Sequence, residues 1–135
     1  MEREDVFKRF RLLKIPEETL LFKEGAPSNS LYMIKSGEVE IFTLTRQGKR
    51  IQLATLKSGN FFGEISLLFN KPRMASAKTI RPSELLELTK EDLDACLLQF
   101  PKLRSILKEI SLKRLAQTKE ILFREEVKKA KEAMV

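Results

Sequence analysis

Four glycines set a rhythm that leaves few folds open. Gly25, Gly37, Gly48 and Gly59 stand 12, 11 and 11 residues apart, with short apolar runs between them. Turn signals about every 8 to 12 residues between such runs mark an all-β sandwich or barrel. Leu20-Leu21-Phe22 precedes Gly25, and Leu31 to Ile34 precedes Gly37. From Glu38 to Phe42 the chain alternates: Val39 and Ile41 share one face and Glu38 and Glu40 the other, as a half-buried strand requires. Arg46 to Lys49 reads as a hairpin turn in which Gly48 is free to take positive φ. Ile51 to Leu56 returns with Ile51 and Leu53 inward, and Ser58 to Asn60 turns again. Two further strands are expected over 75–80 and 84–88.

The flanks read differently. Val6, Phe10 and Leu13 stand at helical spacing, predicting a short helix over 3–14 that Pro16 ends. After residue 89 the pattern is helical again. Thr89 suits an N-cap, and Asp92 supplies the acidic residue three positions on. Pro101 divides this helix from a longer one carrying Leu103, Ile106, Leu107 and Ile110, then Leu115 and Leu122. The apolar stripe of that last helix faces either its own barrel or a second copy of the chain; sequence leaves both open. The outline is a mainly β α+β fold: a helix, about eight short strands, two helices. At 135 residues it makes about one domain.

Composition removes many activities. There is no histidine and one cysteine. Histidine-activated nucleophiles and histidine-ligated zinc or iron sites are therefore excluded, and no metal site is expected. A lone cysteine closes no intrachain disulfide, which points to a reducing, cytoplasmic compartment. Charges interrupt the opening MEREDVFKRF, which is not a secretory signal, and no apolar run approaches the ~18 residues of a membrane span. No enzyme is expected. The net charge of +7 is uneven: residues 102–135 hold ten basic and five acidic residues, whereas 15–101 hold eleven of each. The basic tail mixes both signs, as a solvated helix face with i,i+4 pairs such as Glu125 to Lys129 does. No arginine–aromatic alternation or recognition-helix pattern points to nucleic acid, and after residue 100 these residues leave no room for a helix-turn-helix domain.

One stretch does not fit a plain sandwich: FFGEISLLFNKPRMASA, 61–77. Gly63-Glu64 opens an apolar segment long enough for one or two helical turns, and Pro72-Arg73 closes it. A glycine there lets a ligand approach the backbone, and the free N–H groups of the helix end attract an anion. Arg73, nine residues after Glu64, folds back over the same spot, where its planar fork matches phosphate oxygens in bidentate fashion. A carboxylate repels phosphate, so Glu64 suits a sugar hydroxyl. Together these groups describe a pocket for a phosphorylated ribose.

The stretch resembles the phosphate-binding cassette of cyclic nucleotide-binding domains, the family of bacterial catabolite activator proteins and of the regulatory subunits of cyclic-nucleotide-dependent kinases. Its pattern is Phe-Gly-Glu, an apolar helix, Pro-Arg, a small or hydroxyl residue, and alanine; here it reads Phe62-Gly63-Glu64, Ile65 to Phe69, Pro72-Arg73, Met74, Ala75. LYMIKSGEVEIF and the two C-terminal helices extend the likeness over 18–123. The resemblance implies an eight-stranded, jelly-roll-like β-roll with a cassette helix, an N-terminal helical segment over 1–17, the roll over 18–89 and C-terminal helices over 90–135. It implies that Glu64 accepts from the ribose 2′-hydroxyl, that Arg73 pairs with the cyclic phosphate, and that backbone N–H groups around Gly63, Glu64 and Ala75 add contacts. Phe62, Ile65 and Met74 complete the expected ligand-binding stretch, and Thr118 on the lid helix is the expected base contact. Met74 departs from the family: it offers no hydroxyl, which disfavours cGMP and leaves cAMP as the expected ligand. It also favours the alternative, a roll that has lost its ligand and serves as an interaction or dimerisation module through its C-terminal helix.

Overall fold

The computed structural model describes residues 9–134. Among the described residues eight strands run in chain order: β1 (Arg11–Ile15), β2 (Leu20–Phe22), β3 (Ser30–Ser36), β4 (Glu38–Leu44), β5 (Arg50–Lys57), β6 (Phe61–Phe62), β7 (Ser76–Thr79) and β8 (Ser83–Thr89). The short helix α1 (Glu64–Leu68) interrupts them between β6 and β7, and α2 (Lys90–Gln99) and α3 (Lys102–Ala133) follow. The strands form two four-stranded sheets, β1-β8-β3-β6 and β2-β7-β4-β5. Their pairings are antiparallel.

The glycine spacing predicts β2 to β5 correctly, and the hairpin at Gly48 forms with φ 83°. Two elements differ from expectation. The helix predicted over 3–14 is not formed at its end: Arg11–Ile15 is strand β1, paired with β8 from Arg11↔Glu87 to Ile15↔Ser83; residues 3–8 lie outside the described residues. Leu13 and Ile15, partly buried, satisfy a period of two, and a partner strand some seventy residues away decides between the two readings. The second is the expected Glu125–Lys129 pair. Glu125 instead takes Lys49 Nζ at 3.2 Å, and Lys129 reaches Gln47 at 3.4 Å, tying the β4–β5 hairpin to α3.

Two apolar clusters hold the fold. Ile34, Val39, Phe62, Ala77 and Leu85 fill the space between the sheets. Leu31, Leu67, Leu88, Leu93, Cys96, Leu97 and Leu107 join the first sheet to α1, α2 and α3. Thr89 caps α2 as predicted, its Oγ1 accepting from Asp92 N at 3.2 Å, while the Asp92 side chain pairs with Arg9. Leu67 shares the second cluster with Leu97 and Leu107, so the cassette helix is packed directly against the C-terminal helices.

Candidate functional site

Strand β6 carries the chain into the site. Phe62 is 2% exposed and its ring stacks on Tyr32, 5.2 Å between centroids, which fixes where the next residue begins. Gly63 follows at φ 85° as the N-cap of α1, a left-handed conformation that costs glycine little. A Cβ there would lie 2.5 Å from Arg73 Nη1. The glycine therefore serves both the turn and the close approach of the arginine.

Arg73 is 4% exposed. Its Nη1 donates to the Gly63 carbonyl at 3.1 Å and its Nη2 to the Ser30 carbonyl at 2.8 Å. Its guanidinium carbon lies 4.1 Å from the centroid of Phe22. Both prongs of the fork thus rest on the chain's own carbonyls. Nε has no hydrogen-bond partner and is the one buried side-chain polar atom among the described residues in that condition. Among the described residues no carboxylate forms an ion pair with this cation. Burial pushes the Arg73 guanidinium below its ordinary value, partly offset by Tyr32, Glu87 and Glu64 at a distance.

Glu64, the first residue of α1, is 1% exposed. Its Oε1 accepts from Arg114 Nη1 at 2.9 Å and from Ser111 Oγ at 3.4 Å. Arg114 also donates to the Phe61 carbonyl and lies over the Phe61 ring, 4.8 Å to its centroid. The structure therefore brings Gly63, Glu64 and Arg73 together, as the spacing predicts, and adds two α3 residues that the sequence does not single out. Ser111 is fully buried and small, which lets α3 lie against α1. Arg114 gives no local signal: one basic residue on a mixed-charge helix reads as a solvated one until the tertiary contact is seen.

The remaining predicted residues surround this core. Ile65 and Ala75 are half-buried, and Met74 is 48% exposed, so its thioether lies at the surface. Thr118 is half-buried on α3, one turn beyond Arg114 and on the same face. A cleft of about 300 Å³ lies behind the cassette between Ser28, Ser66, Lys71 and Lys90, and one of about 580 Å³ between the β4–β5 hairpin and α3. Neither is walled by Arg73 or Glu64, both of which are engaged within the chain. Among the described residues there is no cluster of potential metal ligands and no helix long and apolar enough to cross a membrane.

A buried carboxylate and a buried guanidinium thus stand at a five-residue helix on a β-roll. The cyclic nucleotide-binding domain family matches residues 12–100, and the chain belongs to that family. It is 34% identical over 102 residues to the cyclic AMP receptor protein of Thermus thermophilus, covering 76% of this chain and 47% of that one. It is 38% identical over 80 residues to a cAMP-dependent protein kinase regulatory subunit of Aspergillus fumigatus, covering 58% and 19%. The crystal structure of the Thermus thermophilus catabolite activator protein superposes with a TM-score of 0.80 at 30% identity, covering 90% of this chain and 57% of that one. The chain thus spans less than half the length of these two curated relatives.

Proposed function

We propose that this chain is a cyclic-nucleotide sensor whose ligand is cAMP. One observation carries the reading: Arg73 is a buried cation that pairs with no carboxylate among the described residues and keeps one unpartnered donor, Nε. Burying a charge with no countercharge in contact is costly, and an anionic ligand relieves it. The cyclic phosphate supplies that charge without a second ionisation. Glu64, acceptor-only when ionised, takes the ribose 2′-hydroxyl. The name of the Thermus relative, a cyclic AMP receptor, agrees with this choice.

Signal transfer follows from Arg114. A ribose hydroxyl donating to Glu64 competes for the carboxylate that α3 now holds, so occupancy alters the contact fixing α3 to the roll. A ligand shifts such an equilibrium only by its differential affinity for the two positions of the helix. The exposed Leu112 and Phe123 of α3, 58% and 69% exposed, suit a homodimer through that helix.

Calorimetric titration of cAMP into wild type and Arg73→Ala tests the reading. Truncating one member of a buried charge pair costs about 2–5 kcal/mol of binding. Equal affinities overturn it.

A second reading, a roll that binds no nucleotide and acts by interaction alone, is favoured by Glu64 and both Nη groups of Arg73 being engaged within the chain and by the missing hydroxyl at Met74. Thermal shift separates the two. A ligand at a hundred times its dissociation constant adds about 2.7 kcal/mol of stability; no shift with cAMP, cGMP or a cyclic dinucleotide favours the second reading.

A further inference from the structure

The ring beneath Arg73 comes from the opposite sheet. Phe22 lies on β2, while Tyr32 and Phe62 lie on β3 and β6. Their centroids are 6.2 Å (Phe22–Tyr32), 6.0 Å (Phe22–Phe62) and 5.2 Å (Tyr32–Phe62) apart, so both sheets contribute to one aromatic floor. The Arg73 guanidinium rests on it, 4.1 Å from the Phe22 centroid and 6.0 Å from that of Tyr32. The carbonyls of Ser30 and Gly63 hold the cation by its two Nη groups. The ring's negative face attracts it from a third side. A guanidinium is weakly hydrated and planar, so stacking replaces its water at little cost; an ammonium gains less in the same place.

We propose that Phe22 is the positioning residue of the site: its ring holds the Arg73 guanidinium in the inward orientation in which both Nη groups rest on carbonyls and Nε–H is buried without a partner. The choice of anion rests on the cyclic-nucleotide reading; the hold of Phe22 on Arg73 does not. Leucine at this position keeps most of the apolar volume that Phe22 packs against the inter-sheet core but removes the π face. Tyrosine keeps the face. The two substitutions therefore separate positioning from packing.

The test combines two measurements on the full chain. In the ligand-free protein, NMR of the Arg73 Nε–H reads the ring current of Phe22: a displaced resonance is expected in wild type and in Phe22→Tyr, and a return toward the exposed-arginine position in Phe22→Leu. Calorimetry then reads cAMP affinity. Phe22→Leu is expected to weaken it about thirtyfold, the size of a desolvated cation–π contact. Phe22→Tyr restores it, and Phe22→Leu adds no further loss in an Arg73→Ala background. Should Phe22→Leu not fold, Phe22→Met, flexible and of similar size, repeats the comparison. An undisplaced resonance in wild type overturns the proposal, as does equal weakening by Phe22→Leu with and without Arg73. If wild type binds no cyclic nucleotide while its resonance is displaced and depends on Phe22, the sensor reading fails and the positioning role stands.

Discussion

Replacing Arg114 by methionine isolates the contact between α3 and the cassette. The side chain keeps much of its length and loses its charge. Glu64 and Arg114 stand 2.9 Å apart with side-chain exposures of 1% and 23%. At an effective dielectric near 20, unit charges at that distance attract by roughly 6 kcal/mol before desolvation is counted. Removing one member of a buried pair costs about 3–5 kcal/mol, mostly because the other charge is stranded. Arg114 is partly exposed, so water reaches its place and the cost falls below that range, to about 2–3 kcal/mol. The lost bond to the Phe61 carbonyl adds about 1 kcal/mol. The expected total is roughly 3–4 kcal/mol in urea denaturation, a fall in Tm on the order of 10 °C for a chain of this size. Glu64→Gln in the same background removes the stranded charge and is expected to recover about 1–2 kcal/mol. A loss under about 0.5 kcal/mol, or no recovery in the double variant, refutes the argument that α3 is docked through this pair.

Two further outcomes can be checked directly. Gly63→Ala forces alanine to φ 85° and sets its Cβ 2.5 Å from Arg73 Nη1; a stability loss of about 1–3 kcal/mol in denaturant and a weaker cAMP titration are expected, and wild-type values on both contradict the close approach. Burial first, and Asp92 next, push the Cys96 thiol up, with Arg9 opposing. The native protein should therefore react with iodoacetamide at pH 8 more slowly than the urea-unfolded chain. The linked stability is whole below the ordinary thiol value of about 8.5 and falls as pH rises past it, because the unfolded chain releases the proton first. Equal alkylation rates, or stability flat from pH 8 to 10, count against it.

What can be read in advance follows from range. Turn glycines, Pro101 and the Thr89 cap act within a few residues, and the elements they bound lie where expected. Gly63, Glu64 and Arg73 fall within one short loop and helix, and their meeting is legible from that spacing. Strand β1 is not, because Val6, Phe10 and Leu13 satisfy a helical period and only pairing with β8 overrides it. The grip of Arg73 escapes the sequence for a related reason. Its fork is claimed by the carbonyl of Ser30, 43 residues away, and its platform by Phe22, and a carbonyl leaves no trace in side-chain spacing. Arg114 belongs with these: its role exists only once α3 lies on α1.

Helix α3 has a mechanical consequence. From Arg114 to its last residue, Ala133, at 1.5 Å per residue, it extends about 28 Å beyond its anchor. Each degree of tilt about that anchor sweeps the far end by roughly half an ångström, so a rotation too small to disturb the roll becomes a displacement large enough to pull neighbouring side chains out of contact. The Lys49–Glu125 and Gln47–Lys129 contacts brace this arm partway along its length. The hairpin tip is thus a stay on a boom whose pivot is the packed stretch from Leu107 to Arg114, and the stiffness of that stay sets how much of a movement at the pivot reaches the tip.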